Sequence, residues 1–294
     1  MSQIHLPANE SAEQVRVKFW GVRGSIPTPG PETVGVGGNT SCVEMRADGQ
    51  HLILDAGSGL RPLGLALMAE AAGRPIVATL LLTHTHWDHI QGFPFFVPAY
   101  VPQNQLRIMG YEGARSGLQD TLAGQMENPY FPVALAQMSG NIVFEEIKAR
   151  DFTLGAITVR ACRTKHPGIT MAYRLETSAG SVCYVPDHEC APEDPGAEVV
   201  ALIAGADVVI LDSQYTAEEY PSKKGWGHSS LDAGVAMACA AKVKQLYLFH
   251  HDPNHSDAFI AKMHAHARTL AEGSETEVLV AKEGVEIVLS RVDG

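Results

Sequence analysis

Positive charge is scarce in this chain. Twenty-two Lys and Arg face 33 Asp and Glu, a formal net charge of −11. A non-specific nucleic-acid binder needs a basic stripe to replace counterions, so the balance argues against extended nucleic acid as a partner. It leaves room for a small anion held by metal ions. Cysteine is equally sparing: Cys42, Cys162, Cys183, Cys190 and Cys239 are odd in number and contain no CxxC pair. Neither a disulfide framework nor a cysteine zinc site is indicated, and most of these thiols are expected to be small buried apolar groups. No apolar run approaches the roughly 18–20 residues of a membrane span. Met1 to Gln14 lacks a basic stretch followed by an apolar one, so no export signal is visible and a soluble cytoplasmic protein is expected. No repeat and no low-complexity linker divides the chain.

What remains is ordinary globular material, 45% apolar over 294 residues, sufficient for a substantial core. Strands are expected at Val15 to Trp20, at Ser41 to Arg46 and at His51 to Leu54, the last two joined by a turn at Asp48-Gly49. Leu60 to Ala72 reads as a helix closed by Gly73, and Pro75 to Leu82 as a buried strand. Three prolines break the apolar run Gln91 to Pro102, which is therefore a loop packed on the core, a pocket wall or a contact in a homodimer. Further strands are expected at 105–109, 141–147, 157–162, 171–176, 181–185, 207–211 and 244–249. Helices are expected at 114–124, 230–241 and 257–272, with 277–281 and 285–289 as a terminal pair of strands. Strands before, between and after helices suggest two sheets sandwiched between helices in one domain, with residues 1–14 a loose leading segment.

The informative stretch is Thr83-His84-Thr85-His86-Trp87-Asp88-His89, directly after the strand ending at Leu82. On an extended strand end, His84 and His86 point the same way, because side chains repeat every two residues. Once the chain turns, Asp88 and His89 face a second point. Imidazole and carboxylate are the ligands that borderline divalent ions take, and a His pair plus an Asp-His pair suits two of them. Three more candidates end strands: His166 after 157–162, Asp187 after 181–185 and His250 after 244–249. Each alone reads equally well as a polar strand end; together they complete a seven-ligand set.

In that order these motifs resemble the metallo-β-lactamase superfamily over nearly the whole chain. The resemblance implies an α/β, four-layer αββα sandwich with a dinuclear site at one edge. It implies that His84, His86 and His166 hold one metal, that Asp88, His89 and His250 hold the other, and that Asp187 bridges them. Zinc is expected, with manganese or iron as alternatives, because availability decides among metals that share N/O ligands. The strand 206–212 followed by Gly227-His228-Ser229-Ser230 is similar to the phosphodiesterase branch, which includes ribonuclease Z and cyclic-phosphate hydrolases. That likeness implies that Asp212 orients His228 and that His228 protonates the leaving oxygen, while Asp88 serves in both the ligand and the catalytic set. Glutamate is the commoner residue at the position of Asp212, so this chain departs there with a shorter side chain. The plainer reading makes His228 a helix-opening residue, with Ser229 or Ser230 as cap.

The expected activity is hydrolysis of a small anionic phosphodiester, such as a cyclic nucleotide or cyclic phosphate, by a hydroxide held between two cations. Arg23, Arg163 and Lys165 are candidate phosphate contacts. A lactonase or thioester hydrolase on the same metals is the first alternative, and a ribonuclease Z-like endonuclease the second. The interval from His166 to Asp187 has room for a hairpin only, not for a tRNA-gripping arm.

Overall fold

A computed structural model describes residues 14–111 and 117–291. The expected loose leading segment falls outside them except for Gln14, as do residues 114–116 of the helix expected at 114–124. Two seven-stranded sheets form the centre. The first contains β1 (Gln14–Gly21), β2 (Cys42–Ala47), β3 (Gln50–Leu54), β4 (Val77–Leu81), β5 (Gln105–Tyr111) and β6 (Asn141–Ile147). The second contains β7 (Asp151–Leu154), β8 (Ile157–Arg163), β9 (Met171–Thr177), β10 (Gly180–Val185), β11 (Val208–Asp212), β12 (Gln245–Phe249) and β13 (Glu277–Val280). The final strand, β14 (Glu286–Ser290), crosses back to pair with β1.

Each sheet has an antiparallel half and a parallel half. The first runs antiparallel from β14 through β1 and β2 to β3, then parallel to β6. The second runs antiparallel from β7 to β10, then parallel through β11 and β12 to β13. Burial follows from that plan. The edgeward β1 alternates, with Val15, Val17 and Phe19 buried between more exposed neighbours. The central parallel β11 is buried at all of its positions, as a strand covered on both faces must be.

Helices cover the outer faces. α1 (Leu60–Ala71) and α3 (Leu118–Gly124) lie on the first sheet. α4 (Ala197–Ile203), α5 (Leu231–Ala240) and α6 (Asp257–Leu270) lie on the second. The expected four-layer αββα sandwich is what the chain forms. Between the sheets, Phe19 meets the rings of Tyr247 and Phe249 at 5.5 and 6.2 Å. Outside the first sheet, Leu60, Leu63 and Leu67 of α1 share an apolar layer with Ile53, Leu80 and Ile108. No helix among the described residues is long and apolar enough to cross a membrane.

Several local expectations hold. Asp48 and Gly49 both take positive φ in the β2–β3 turn, 48° and 71°, the backbone a tight two-residue hairpin requires. The loop after α2 (Trp87–Ile90) contains two short 3₁₀ turns and buries Phe93 and Phe96 completely or nearly so. One expectation fails: 277–281 and 285–289 do not pair with each other. The parallel strand β13 follows the α6 crossover onto β12, while Glu283 swings the connection across to the first sheet, where its carboxylate takes the Asn39 N–H at 2.6 Å. Three elements went unforeseen, the four-residue helix α2, the four-residue edge strand β7 and the seven-residue helix α4, all too short for a periodic signal.

Candidate metal centre

Both sheets deliver side chains to one edge, where the parallel strands end. His84 and His86 follow β4, and α2 carries Asp88 and His89. From the second sheet come His166 after β8, Asp187 after β10 and His250 after β12. The structure brings all seven predicted side chains together. His84, His86, His166 and Asp187 form one group of atoms lying within 4.8 Å of one another, and Asp88, His89 and His250 form another.

Asp187 stands between the two. Its Oδ2 is 3.6 Å from His84 Nε2 and 3.5 Å from His166 Nε2. Its Oδ1 is 3.1 Å from His89 Nε2 and 3.4 Å from His250 Nε2. One carboxylate therefore offers an oxygen to each group, the geometry a bridge between two cations needs. Asp88 Oδ2 closes the second group at 3.2 Å from His250 Nε2, and the Ser25 N–H fixes it at 2.7 Å.

The outward nitrogens of four candidate ligand histidines are tied, which turns the other ring nitrogen inward. His89 Nδ1 bonds Asp55 Oδ2 at 2.8 Å, and His250 Nδ1 bonds Gln214 Oε1 at 3.0 Å. His166 Nδ1 bonds the Gly227 carbonyl at 2.8 Å, and His84 Nδ1 meets Thr83 Oγ1 at 3.1 Å. Asp55 is the hub of this outer layer. Wholly buried, it also accepts from the Thr83 N–H and hydroxyl and from the Tyr184 hydroxyl. Sequence reasoning missed Asp55, Gln214, Thr83 and Tyr184. Only Asp55 left a signal: it directly follows β3 inside Asp55-Ala56-Gly57-Ser58-Gly59, beside the strand that carries the histidines.

The residues fit divalent cations. His84 Nε2 and Asp187 Oδ1 are buried with no hydrogen-bond partner, and both are aimed at the cluster. Leaving such atoms unmade is costly unless something else satisfies them. The electrostatics agree. Burial alone would lower His89, but Asp187, Asp88 and Asp55 outweigh it and raise it well above the ordinary imidazole range. Burial would raise Asp187, yet His250, His89 and His84 hold it well below the usual carboxylate range. Burial and the neighbouring His89 push His84 well down, keeping it neutral and able to ligate. The carboxylates thus demand positive charge, which histidine protons supply poorly and metal ions supply well.

His228 and Asp212 stand beside this cluster. The His228 ring is 4.8 Å from that of His250 and 5.0 Å from that of His166. Its Nδ1 is 2.8 Å from Asp212 Oδ2, so the shorter aspartate does reach. Asp212 is held in turn by the backbone N–H groups of His188 and Gln214. Burial opposes charge on His228, but Asp212 prevails and lifts it to about 9. Ser230, not His228, sits at the cap position of α5, without a side-chain cap bond, and the Ser229 hydroxyl donates instead to the His188 carbonyl.

The proposed phosphate contacts fare worse. Arg23 is wholly buried, and its guanidinium donates to the carbonyls of Gly37, Asp252 and His255 at 2.8, 3.2 and 2.6 Å. It pins the glycine-rich loop to the segment after His250 and cannot meet a substrate. Lys165 is occupied by Asp194, and Arg163 donates to the Gly168 carbonyl.

A family profile described as "Beta-lactamase superfamily domain" matches residues 51–251. Curated relatives include the ribonuclease Z of Thermoplasma acidophilum, 23% identical, the match covering 85% of this chain and 90% of that one. The ribonuclease Z of Mycobacterium avium is 26% identical over 87% of this chain and 91% of its own. Among solved structures, the metallo-beta-lactamase fold protein YhfI from Bacillus subtilis superposes with a TM-score of 0.70 at 20% identity, over 94% of this chain and 99% of that one. The short form of human tRNase Z superposes with a TM-score of 0.64 at 20% identity, over 92% and 98%. Relatives named ribonuclease leave the exclusion of extended nucleic acid, drawn from net charge and a short interval, without support. With a family match across more than half of its length, and paired His/Asp groups at the strand ends of a two-sheet sandwich, the chain belongs to the β-lactamase superfamily as a metal-dependent hydrolase.

Proposed function

We propose that this protein is a phosphodiesterase acting on a small phosphodiester, with His84, His86, His166, Asp88, His89, His250 and the bridging Asp187 as ligands to two divalent ions, zinc foremost. The observation that carries this reading is the Asp212–His228 pair, 2.8 Å apart beside the ligand groups. Two cations bound there would activate water and neutralise charge on the phosphoryl oxygens. The chain supplies the proton. Asp212, 2.8 Å from Nδ1, favours the protonated ring, so His228 is placed to act as a donor, as an alkoxide leaving group requires. Asp212 fixes the ring so that Nε2 carries the transferable proton. Acyl substrates, whose breakdown does not need this donor, would leave the pair without a task.

We take the substrate to be small on the strength of the segment between His166 and Asp187, although the names of the relatives do not support that restriction. That segment holds only the β9–β10 hairpin, turning at Ser178-Ala179, with no extension to grip a folded RNA. An RNA endonuclease is the second reading, and the names of the curated relatives favour it. A leaving-group comparison tests the first. Replacing His228 with Ala is expected to slow an alkyl phosphodiester about 10²–10⁴-fold. Bis-p-nitrophenyl phosphate, whose leaving group departs without a proton, is expected to be nearly spared. Equal losses on both would remove His228 as the acid, and turnover of lactones or thioesters in preference to either diester would overturn the assignment.

A further inference from the structure

The segment from Tyr215 to Gly227 is tightly fastened to the site. Glu189 accepts the N–H groups of Gly225 and Gly227 at 2.8 and 2.9 Å and the Tyr220 hydroxyl at 2.9 Å. The Gly227 carbonyl is the anchor for His166, and a Cβ at Gly227 would lie 2.4 Å from that ring, so the backbone approaches as closely as it can. Trp226, directly before this contact, is left 58% exposed. A rigid segment that holds a ligand histidine yet turns an indole outward is spending apolar area that packing would otherwise bury.

Lys223 completes the arrangement. Its Nζ lies 4.2 Å from the centre of the Trp226 ring and 6.0 Å from that of Tyr215. Tyr215 in turn meets the His228 ring edge-on at 6.0 Å. The neighbouring lysines are neutralised, Lys224 by Glu193 and Lys165 by Asp194. The half-buried Lys223 ammonium meets no carboxylate among the described residues. In a chain of net charge −11, an uncompensated cation two ring contacts from the proton donor is a local attractor for an anion. Lys223 belongs to neither ligand group and touches the proton donor only through Tyr215, so it is placed to hold a phosphate other than the one being cleaved.

We infer that Trp226 and Lys223 receive the non-reacting end of the substrate, with a nucleobase stacked on the indole and a second phosphate held by the ammonium. The inference rests on the phosphodiesterase reading and narrows it to nucleotides that carry at least two phosphates. Base stacking on an aromatic side chain and a charge-assisted contact to phosphate each suffice for about tenfold in binding.

Two dinucleotides differing only in a terminal phosphate, pApA and ApA, test it on the zinc-loaded protein. Lys223→Gln is expected to lower kcat/KM about tenfold more for pApA than for ApA, mainly through KM, with Lys223→Arg restoring most of the difference. Trp226→Ala is expected to raise KM for both by about tenfold. Binding of pApA is expected to quench tryptophan fluorescence, and Trp226→Phe to remove that quench while Trp20 and Trp87 still emit. Equal effects of Lys223→Gln on the two dinucleotides, or a quench that survives Trp226→Phe, would overturn the inference. A loop that merely loses its shape lowers both substrates alike and so counts against it. Failure of the parent reading looks different: the wild-type protein would then leave bis-p-nitrophenyl phosphate intact as well, whatever its fluorescence does.

Discussion

Replacing Asp55 with Asn isolates the outer layer of the metal centre, because the side chain keeps its shape and loses only charge and one acceptor. Asp55 Oδ1 takes the Thr83 N–H at 2.7 Å, and Oδ2 takes the Tyr184 hydroxyl at 2.9 Å and faces His89 Nδ1 at 2.8 Å. An amide can keep its oxygen on the Thr83 side only by turning its NH₂ toward His89 and Tyr184. Two donors then face each other at His89 Nδ1, unless the imidazole moves its proton to Nε2. That proton would sit on the atom directed at Asp88 and Asp187, where a cation would bind. Disturbing such an outer partner costs about 10–100-fold in metal affinity, equivalent to about 1.4–2.7 kcal/mol. One ion is expected to weaken selectively, since His84 and His166 are tied to Thr83 and Gly227 instead. Competition with a chromogenic chelator, checked by elemental analysis, measures both sites. The expected result is one ion held as in the wild type and a second lost at chelator concentrations the wild type withstands. Unchanged affinity for both ions would refute the role given to Asp55.

Three further outcomes follow from particular contacts. Replacing Arg23 with Leu strands three buried carbonyls, each costing about 1–3 kcal/mol, so denaturant titration is expected to show a loss above about 3 kcal/mol; a small loss accompanied by a raised KM would restore the phosphate role. Glu44 tests pH dependence: burial would raise its pKa, but His51, Arg46 and Trp20 bring it from 4.5 to about 2. Its contribution is therefore whole above about pH 4.5 and vanishes as pH falls toward 2, so the stability gap between wild type and Glu44→Gln is expected to reach about 3 kcal/mol at pH 7 and to close over that acid range in urea titrations. Replacing Gly24 with Ala places a Cβ 2.3 Å from the His250 ring, which must turn away; about tenfold or weaker binding of one ion is expected by the chelator assay, and normal affinity would show that the ring can yield without cost.

Most of the candidate ligands were legible because they follow strand ends, and the period of two along an extended chain fixes which way His84 and His86 point. The sandwich was legible for a similar reason, since apolar runs such as Val208 to Leu211 lie deep in a sheet and state their own burial. Contacts made far along the chain were not. Asp55 and His89 are 34 positions apart, and nothing local in either announces the other. Arg23 misled because an arginine in a glycine-rich loop reads as a surface cation, whereas three backbone carbonyls from distant segments absorb it. The pairing of the last two strands failed on the same ground: nearness in sequence favours a hairpin, and the choice of sheet is settled by partners elsewhere.

Each candidate ligand group draws on both sheets, His84 and His86 meeting His166, and His89 meeting His250. A pair of bound ions would then act as rivets through a seam that is otherwise closed by apolar packing and by bonds such as that from the Tyr184 hydroxyl to Asp55. Neither half of the chain owns a finished coordination sphere, so the ions can be captured only after the halves have docked, and any slippage between them must first prise the ions loose. Their free energy of binding becomes resistance to that slippage. Starved of metal, the protein would lose part of its cohesion across the seam along with its chemistry.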